Sequence, residues 1–318
     1  MKSDGKPEAA DRGRGTGEAG PGGSTGFDGL DHGLIHALQL DGRAPFSCSA
    51  VQWLVRVQCT PDAAAAVAEA LARRPDTSWV SLMSGGTEIS AMCRAARSDH
   101  SEALLLQKLP RTPSVIGVTA HCQLHQFFGG PQGLINKSGA LTDEQIARLS
   151  PPPPDPAATP ATLTDADRRL FDALARDGRA PLAELAAATG RSPTTVRRRC
   201  AELRANGVLY YDVDYDLPQS GYGVMVALWL SVEPARLAAA GEAMAAHPEV
   251  GYACATTGPH NLFASVLCRN VGAVYRYLTT RVAALPGVRA MESAPRIRHI
   301  KGPGPVFPSP RPAPGRHR

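Results

Sequence analysis

Nowhere in its 318 residues does the chain hold an apolar run approaching the ~18 residues that a bilayer-spanning helix needs. Its N-terminus, MKSDGKPEAADRGRGTGEAGPGGSTG, lacks the apolar core of a secretory signal. The expectation is a cytoplasmic protein with no membrane partner. Cysteine is sparse and scattered: seven residues, an odd number with no CxxC pair, fit reduced thiols rather than a disulfide framework or a zinc site. An excess of one charge is missing too. Thirty-four Lys and Arg stand against 29 Asp and Glu, and a net of +5 does not make a nucleic-acid binder unless the basic residues are concentrated somewhere.

Catalytic signatures are also absent. There is no nucleophile elbow, phosphate loop or paired-carboxylate motif, so the reading is a non-enzyme without a cofactor. His121 and His125 fall on an expected strand, where that spacing puts them on one face about 13 Å apart, too far for one metal ion. His32 and His36 share the spacing on an expected helix but lack a third ligand, so no metal is expected.

Composition divides what is present. Residues 1–26 are Gly-rich and charged, and residues 303–318 are Pro- and Arg-rich; both read as tails unable to bury enough apolar surface to order. A Pro-rich linker is expected over 130–162, containing PPPPDPAATPAT and a short helix, LTDEQIARL, with Thr142 as N-cap.

The remaining segments repeat. DGRAP occurs at Asp41–Pro45 and again at Asp177–Pro181, and the apolar residues before both copies follow one helical pattern, at an offset of 136. Farther on the offset becomes 173: Val51 matches Val224, Pro61 matches Pro234 and Gly85 matches Gly258. The difference between the two offsets corresponds roughly to 184–220, present only in the second copy. Residues 27–47 therefore read as a remnant first helix, left by natural loss, a deletion or a misjoined reading frame.

The second copy is complete. A helix over 163–176 is followed by PLAELAAAT, which Gly190 can close, and then by a third helix with Ser192 as N-cap and Pro193 at its first position. Val196, Cys200 and Leu203 share its inner face, which leaves Thr194, Thr195, Arg197, Arg198 and Arg199 outward or on the flanks. Between 191 and 204 stand five Arg and one Glu, which concentrates positive charge where phosphates would be met. Three such helices describe a helix-turn-helix over 163–217, with VLYYDVDYDL as exit strand. From Tyr222 the apolar period becomes two, and strand, helix, hairpin, helix and strand follow in the ferredoxin-like order over 221–302. Residues 51–129 repeat that order, with a second helix expected over 99–109.

The helix-turn-helix carrying SPTTVRRRCAELRANGVL, the β linker and the hairpin TTGPHNLF together resemble the Lrp/AsnC, or feast/famine, transcriptional regulators. The implied fold is α+β: a winged-helix-like helix-turn-helix plus two ferredoxin-like (βαββαβ) sensor domains. The resemblance implies double-stranded DNA and an amino-acid-like effector as partners, with sensor sheets that pair within one chain or between chains, and a homodimer or larger as the favoured state. It places DNA contacts on Ser192, Thr194, Thr195, Arg197, Arg198, Arg199 and Arg204. It places the effector turn on Thr257, Gly258, Pro259, His260 and Asn261, with Gly85 and Glu88 at the matching turn of the first copy. An acidic residue is common in the family where Asn261 stands, so Glu88 is the better expected partner for a cationic amine. Alternative readings are a ligand sensor that does not bind DNA, and a sirohaem-decarboxylase-like enzyme of the same architecture using His260.

Overall fold

The computed structural model describes residues 51–95, 108–130, 137, 141–149, 162–206, 208–209 and 221–303. The expected remnant helix at 27–47, most of the expected helix at 99–109, most of the exit strand and both tails lie outside the described residues.

The first half begins with β1 (Val51–Cys59), whose alternation sorts side chains onto two faces. Val55, Val57 and Cys59 pack beneath α1 (Ala64–Ala72), while Leu54 turns to the opposite face. Strands β2 (Thr77–Met83), β3 (Glu88–Ala95) and β4 (Val115–Phe128) complete the sheet, in the order β4-β1-β3-β2. A short helix α2 (Asp143–Leu149) follows, with Thr142 Oγ1 accepting from Gln145 N at 3.3 Å and Gln145 Oε1 accepting from Thr142 N at 2.8 Å. Three helices come next: α3 (Asp165–Arg176), α4 (Leu182–Thr189) and α5 (Pro193–Ala205).

The second half contains β5 (Val224–Val232), α6 (Leu237–Ala245), β6 (Val250–Thr256), β7 (Leu262–Cys268), α7 (Val271–Tyr277) and β8 (Val288–Lys301). Its β5, α6, β6 and β8 have the same lengths as β1, α1, β2 and β4 and follow them at one constant offset, the one read from the sequence. The second sheet runs β8-β5-β7-β6.

The two sheets close on one another. Strand β4 pairs with β1 as far as Cys122 and then, from Gln123, with β6. Strand β8 pairs with β5 as far as Pro295 and then, from Arg296, with β2. The ring β1-β3-β2-β8-β5-β7-β6-β4 is thereby complete, so the sheets pair within one chain. This explains why β5 reads VMVALWLSV with so little polarity. Val226, Leu228 and Leu230 pack with Met244 and Leu285, while Ala227 and Trp229 pack on Leu54, Met83 and Met92 between the sheets.

Each half also secures the other's helix. Phe127 of β4 lies against Gly241 of α6, where a Cβ would come within 2.2 Å of its ring. The first-half position matching Gly241 is Ala68, and the equivalent of Phe127 is Ile300, which joins the core beneath α1. Lys301 donates to Arg74 O at 2.6 Å, just beyond the C-terminus of α1. Lys137 donates to Ala245 O, His247 O and Val250 O at 2.6–2.9 Å at the end of α6, with its ammonium 3.5 Å from the centre of the Phe128 ring.

One expectation is corrected. The register of β4 shifts between Gln123 and His125, where the strand changes partner. His121 is buried and His125 is exposed, so the two do not share a face.

Candidate DNA-binding helix and effector turns

The three-helix unit is fixed by its caps. Thr164 Oγ1 accepts from Asp167 N at 3.3 Å and Asp167 Oδ2 accepts from Thr164 N at 2.8 Å, a reciprocal box at the start of α3. Gly190 ends α4 in the left-handed region (φ 67°), and Ser192 Oγ accepts from Thr195 N at 3.2 Å to open α5. Leu170, Leu174, Leu185, Val196, Leu203 and Leu209 form the core.

On α5, Thr194, Arg197 and Arg198 are exposed, as is Ser192 before it; Thr195 is half-buried, its hydroxyl 2.9 Å from Ser192 Oγ. Arg204 is also half-buried. Arg199 faces inward. Its Nε and Nη2 donate to the two oxygens of Asp167, each at 2.9 Å, its Nη1 donates to Glu202 at 2.6 Å, and Nη2 also reaches Thr162 O at 2.9 Å. Asp167 is 2% exposed, so this bidentate pair binds α5 to the start of α3. Burial alone would raise the Asp167 pKa, but hydrogen bonds from Arg199 and Thr164 outweigh it and hold the carboxyl down to about 2. Arg191, which sequence reasoning passed over, is exposed and lines a shallow cleft with Thr164, Thr195 and Arg198. Its place directly before the capping Ser192 is the signal that could have found it.

The turn between β6 and β7 is bonded internally and to the first half. Thr257 N donates to Cys122 O at 2.9 Å, and Thr257 Oγ1 accepts from Cys122 N at 2.8 Å. His121 Nδ1 lies 2.8 Å from Thr257 O, so that nitrogen carries the proton, and its ring packs 5.0 Å from that of Trp229. Gly258 sits at φ 101°, and a Cβ there would come within 2.5 Å of His121 Nδ1, so both conformation and space require glycine. His260 is half-buried, and its carbonyl accepts from Thr256 Oγ1. Asn261 turns away from the turn: Oδ1 accepts from Val232 N at 2.8 Å and Nδ2 donates to Val232 O at 2.9 Å. An amide can do both and a carboxylate cannot, which accounts for Asn where an acid is common.

The matching turn has Gly85 at φ 75°, followed by Glu88. Glu88 is 6% exposed and engaged on both oxygens, by Arg56 Nε at 2.7 Å and Nη2 at 3.1 Å, with Ser84 Oγ at 3.2 Å. Glu88, the expected partner of a cationic amine, is here paired with Arg56. Arg56 also grips Glu292 of the second half, at 2.5 and 2.9 Å, and lies over the Trp229 ring at 5.2 Å. Arg56, Trp229, Glu292 and His121 were missed as a group because residues far apart in the chain meet only when the ring closes.

The described residues thus combine a helix-turn-helix whose third helix bears arginines with a closed pair of ferredoxin-like sheets. The AsnC-type helix-turn-helix domain matches residues 163–204 and the Lrp/AsnC ligand binding domain matches 225–306, so over these residues the chain is similar to Lrp/AsnC-type regulators. An uncharacterized HTH-type transcriptional regulator of Pyrococcus abyssi is 28% identical over 133 residues, 42% of this chain and 84% of that protein. The Regulatory protein AsnC of Escherichia coli is 27% identical over 146 residues, 44% of this chain and 96% of that one. In fold, the solved siroheme decarboxylase NirDL covers 88% of this chain and 83% of its own with a TM-score of 0.56, at 15% identity.

Proposed function

We propose that the chain is a cytoplasmic, sequence-specific DNA-binding regulator that responds to an amino-acid-like metabolite held by its ferredoxin-like pair, and that it catalyses no reaction. The observation that carries this is the exposed row on α5 of an AsnC-type helix-turn-helix: Thr194, Arg197 and Arg198, with Ser192 and Thr195 at its start, Arg204 near its end and Arg191 beside it. Arginine there supplies phosphate neutralisation and groove-directed guanidinium groups together. Arg199 serves by holding α5 in place. Gly85, Thr257, Gly258 and His260 mark where the effector acts, at the rims where the halves meet. A second head for a two-fold operator comes from another chain, through a surface other than the sheet pairing already used internally. Replacing Arg197 and Arg198 together by Ala is expected to abolish DNA retention at moderate salt and leave thermal unfolding unchanged. Unchanged retention would overturn the assignment.

A second reading, a sirohaem-decarboxylase-like enzyme using His260, has in its favour the shared fold across both halves. Tetrapyrrole absorbance in the purified chain would favour it. Ligand-induced stabilisation with no DNA retention would instead point to a sensor that does not bind DNA.

A further inference from the structure

Three arginines at the start of α5, Arg191, Arg197 and Arg198, are exposed and form no salt bridge among the described residues. Arg199 is engaged by Asp167 and Glu202. The direction each of the three takes follows from the helix. Val196, Cys200 and Leu203 face the three-helix core, with Val196 1% and Leu203 0% exposed, and they set the inward side of α5. A turn of about 100° per residue then puts Arg198 within about 20° of straight outward, in line with Ala205, and Thr194 within about 30°. Ala201 lies near the same line, and Thr194, Ala201 and Ala205 are all exposed. Arg197 falls about a quarter-turn to one side. On the other side Arg191 lines a cleft of about 180 Å³ with Thr164, Thr195 and Arg198. Arg199 and Glu202 border that cleft too, but they are bonded to each other at 2.6 Å, so Glu202 sets no unpaired negative charge there.

A helix laid in the major groove reads bases along the line that faces the groove floor. On that line α5 has one side chain able to make paired hydrogen bonds, Arg198, among the short side chains of Thr194, Ala201 and Ala205. Short neighbours let the helix come close to the base edges. A guanidinium there matches O6 and N7 of guanine, which its fork of donors suits. Side chains a quarter-turn away meet the groove walls instead, where the phosphates of the two strands lie. Arg197 stands at one wall. Arg191 stands at the other, and the Thr195 hydroxyl on the same cleft adds a donor.

We infer that Arg198 is the one base-reading arginine of α5, taking a guanine through O6 and N7, and that Arg197 and Arg191 hold phosphates of opposite strands. The half-site then contains one G·C pair read by hydrogen bonding. Thymine is favoured beside it, where the methyl groups of Thr194 and Ala201 meet its 5-methyl group. This rests on the DNA-binding reading above and adds which residue carries the sequence information.

The test is selection from a randomised duplex pool by the full chain and by Arg198→Ala, Arg197→Ala and Arg191→Ala. Affinities are then measured across a salt series, on the duplex that the unaltered chain selects and on an unrelated one. The unaltered chain is expected to select one G·C pair in each half-site. Arg198→Ala is expected to lose that preference and to bind the selected duplex at least about tenfold more weakly, with circular dichroism unchanged. Arg197→Ala and Arg191→Ala are expected to select the same sequence, to weaken both duplexes by a common factor, and each to lower the slope of log affinity against log salt by about 0.9. No G·C preference in the unaltered chain, a preference kept by Arg198→Ala, or one altered by either of the other two would overturn the assignment. Retention of no duplex even at low salt would overturn the regulator reading itself, whereas retention with a different division of roles would overturn this inference alone.

Discussion

Among the α5 arginines, orientation decides role. Arg197→Ala removes an exposed side chain and is expected to change stability by no more than about 0.5 kcal/mol. Arg199→Ala leaves Asp167 buried without its bidentate partner and is expected to cost the three-helix unit about 3 kcal/mol by urea unfolding. Equal effects would show that the pair does not hold the unit together. The same pair sets an acid limit. Because the folded-state pKa of Asp167 is depressed from 3.8 to about 2, its stabilisation is complete above the unfolded value and is lost as pH falls through the folded one. Helical signal from α3–α5 should therefore weaken between pH 3.8 and about 2, and Asp167→Asn should flatten that decline. The sequence showed Ser192 and Pro193 as a helix start, since a cap is local chemistry. It did not show which of three consecutive arginines points inward, because that depends on a buried acid on another helix.

At the level of elements, α6 carries a glycine where intrinsic propensity favours alanine by about 1 kcal/mol. Here Gly241→Ala is expected to destabilise by about 1–3 kcal/mol, since the new Cβ meets the Phe127 ring at 2.2 Å. Adding Phe127→Ile, which restores the first half's Ala68 and Ile300 combination, is expected to recover most of the loss in thermal unfolding. Failure to recover would mean that the two contacts are not equivalent. Strand, helix and hairpin order was legible from periodicity and from the constant offset between the halves. The exchange of β4 and β8 between sheets was not, because a strand of alternating residues reads the same whichever neighbour it pairs with. Asn261 shows a similar limit: its turn was legible, whereas its amide bonds to Val232 lie across the sheet.

For the molecule as a whole, the ring uses up within one chain the sheet pairing that could otherwise join two chains. Both halves should unfold together in calorimetry, with α3–α5 separable from them; two barrel transitions would contradict the interlocked pairing. The sequence left open whether the sheets paired within or between chains. Only the registers of β4 with β6 and β8 with β2 answer that, since both apolar faces could equally have been covered by a second molecule.

The late arrival of β8 also has a consequence during synthesis. β2 finds its second neighbour only when the end of β8, from Arg296 to Lys301, emerges, after the whole three-helix unit and the rest of the second half. At about 5–20 residues per second the first half waits roughly ten seconds or more with that edge unpaired. Such an edge invites association with a neighbouring nascent chain. The yield of native protein should therefore depend on how crowded the ribosomes are on its message.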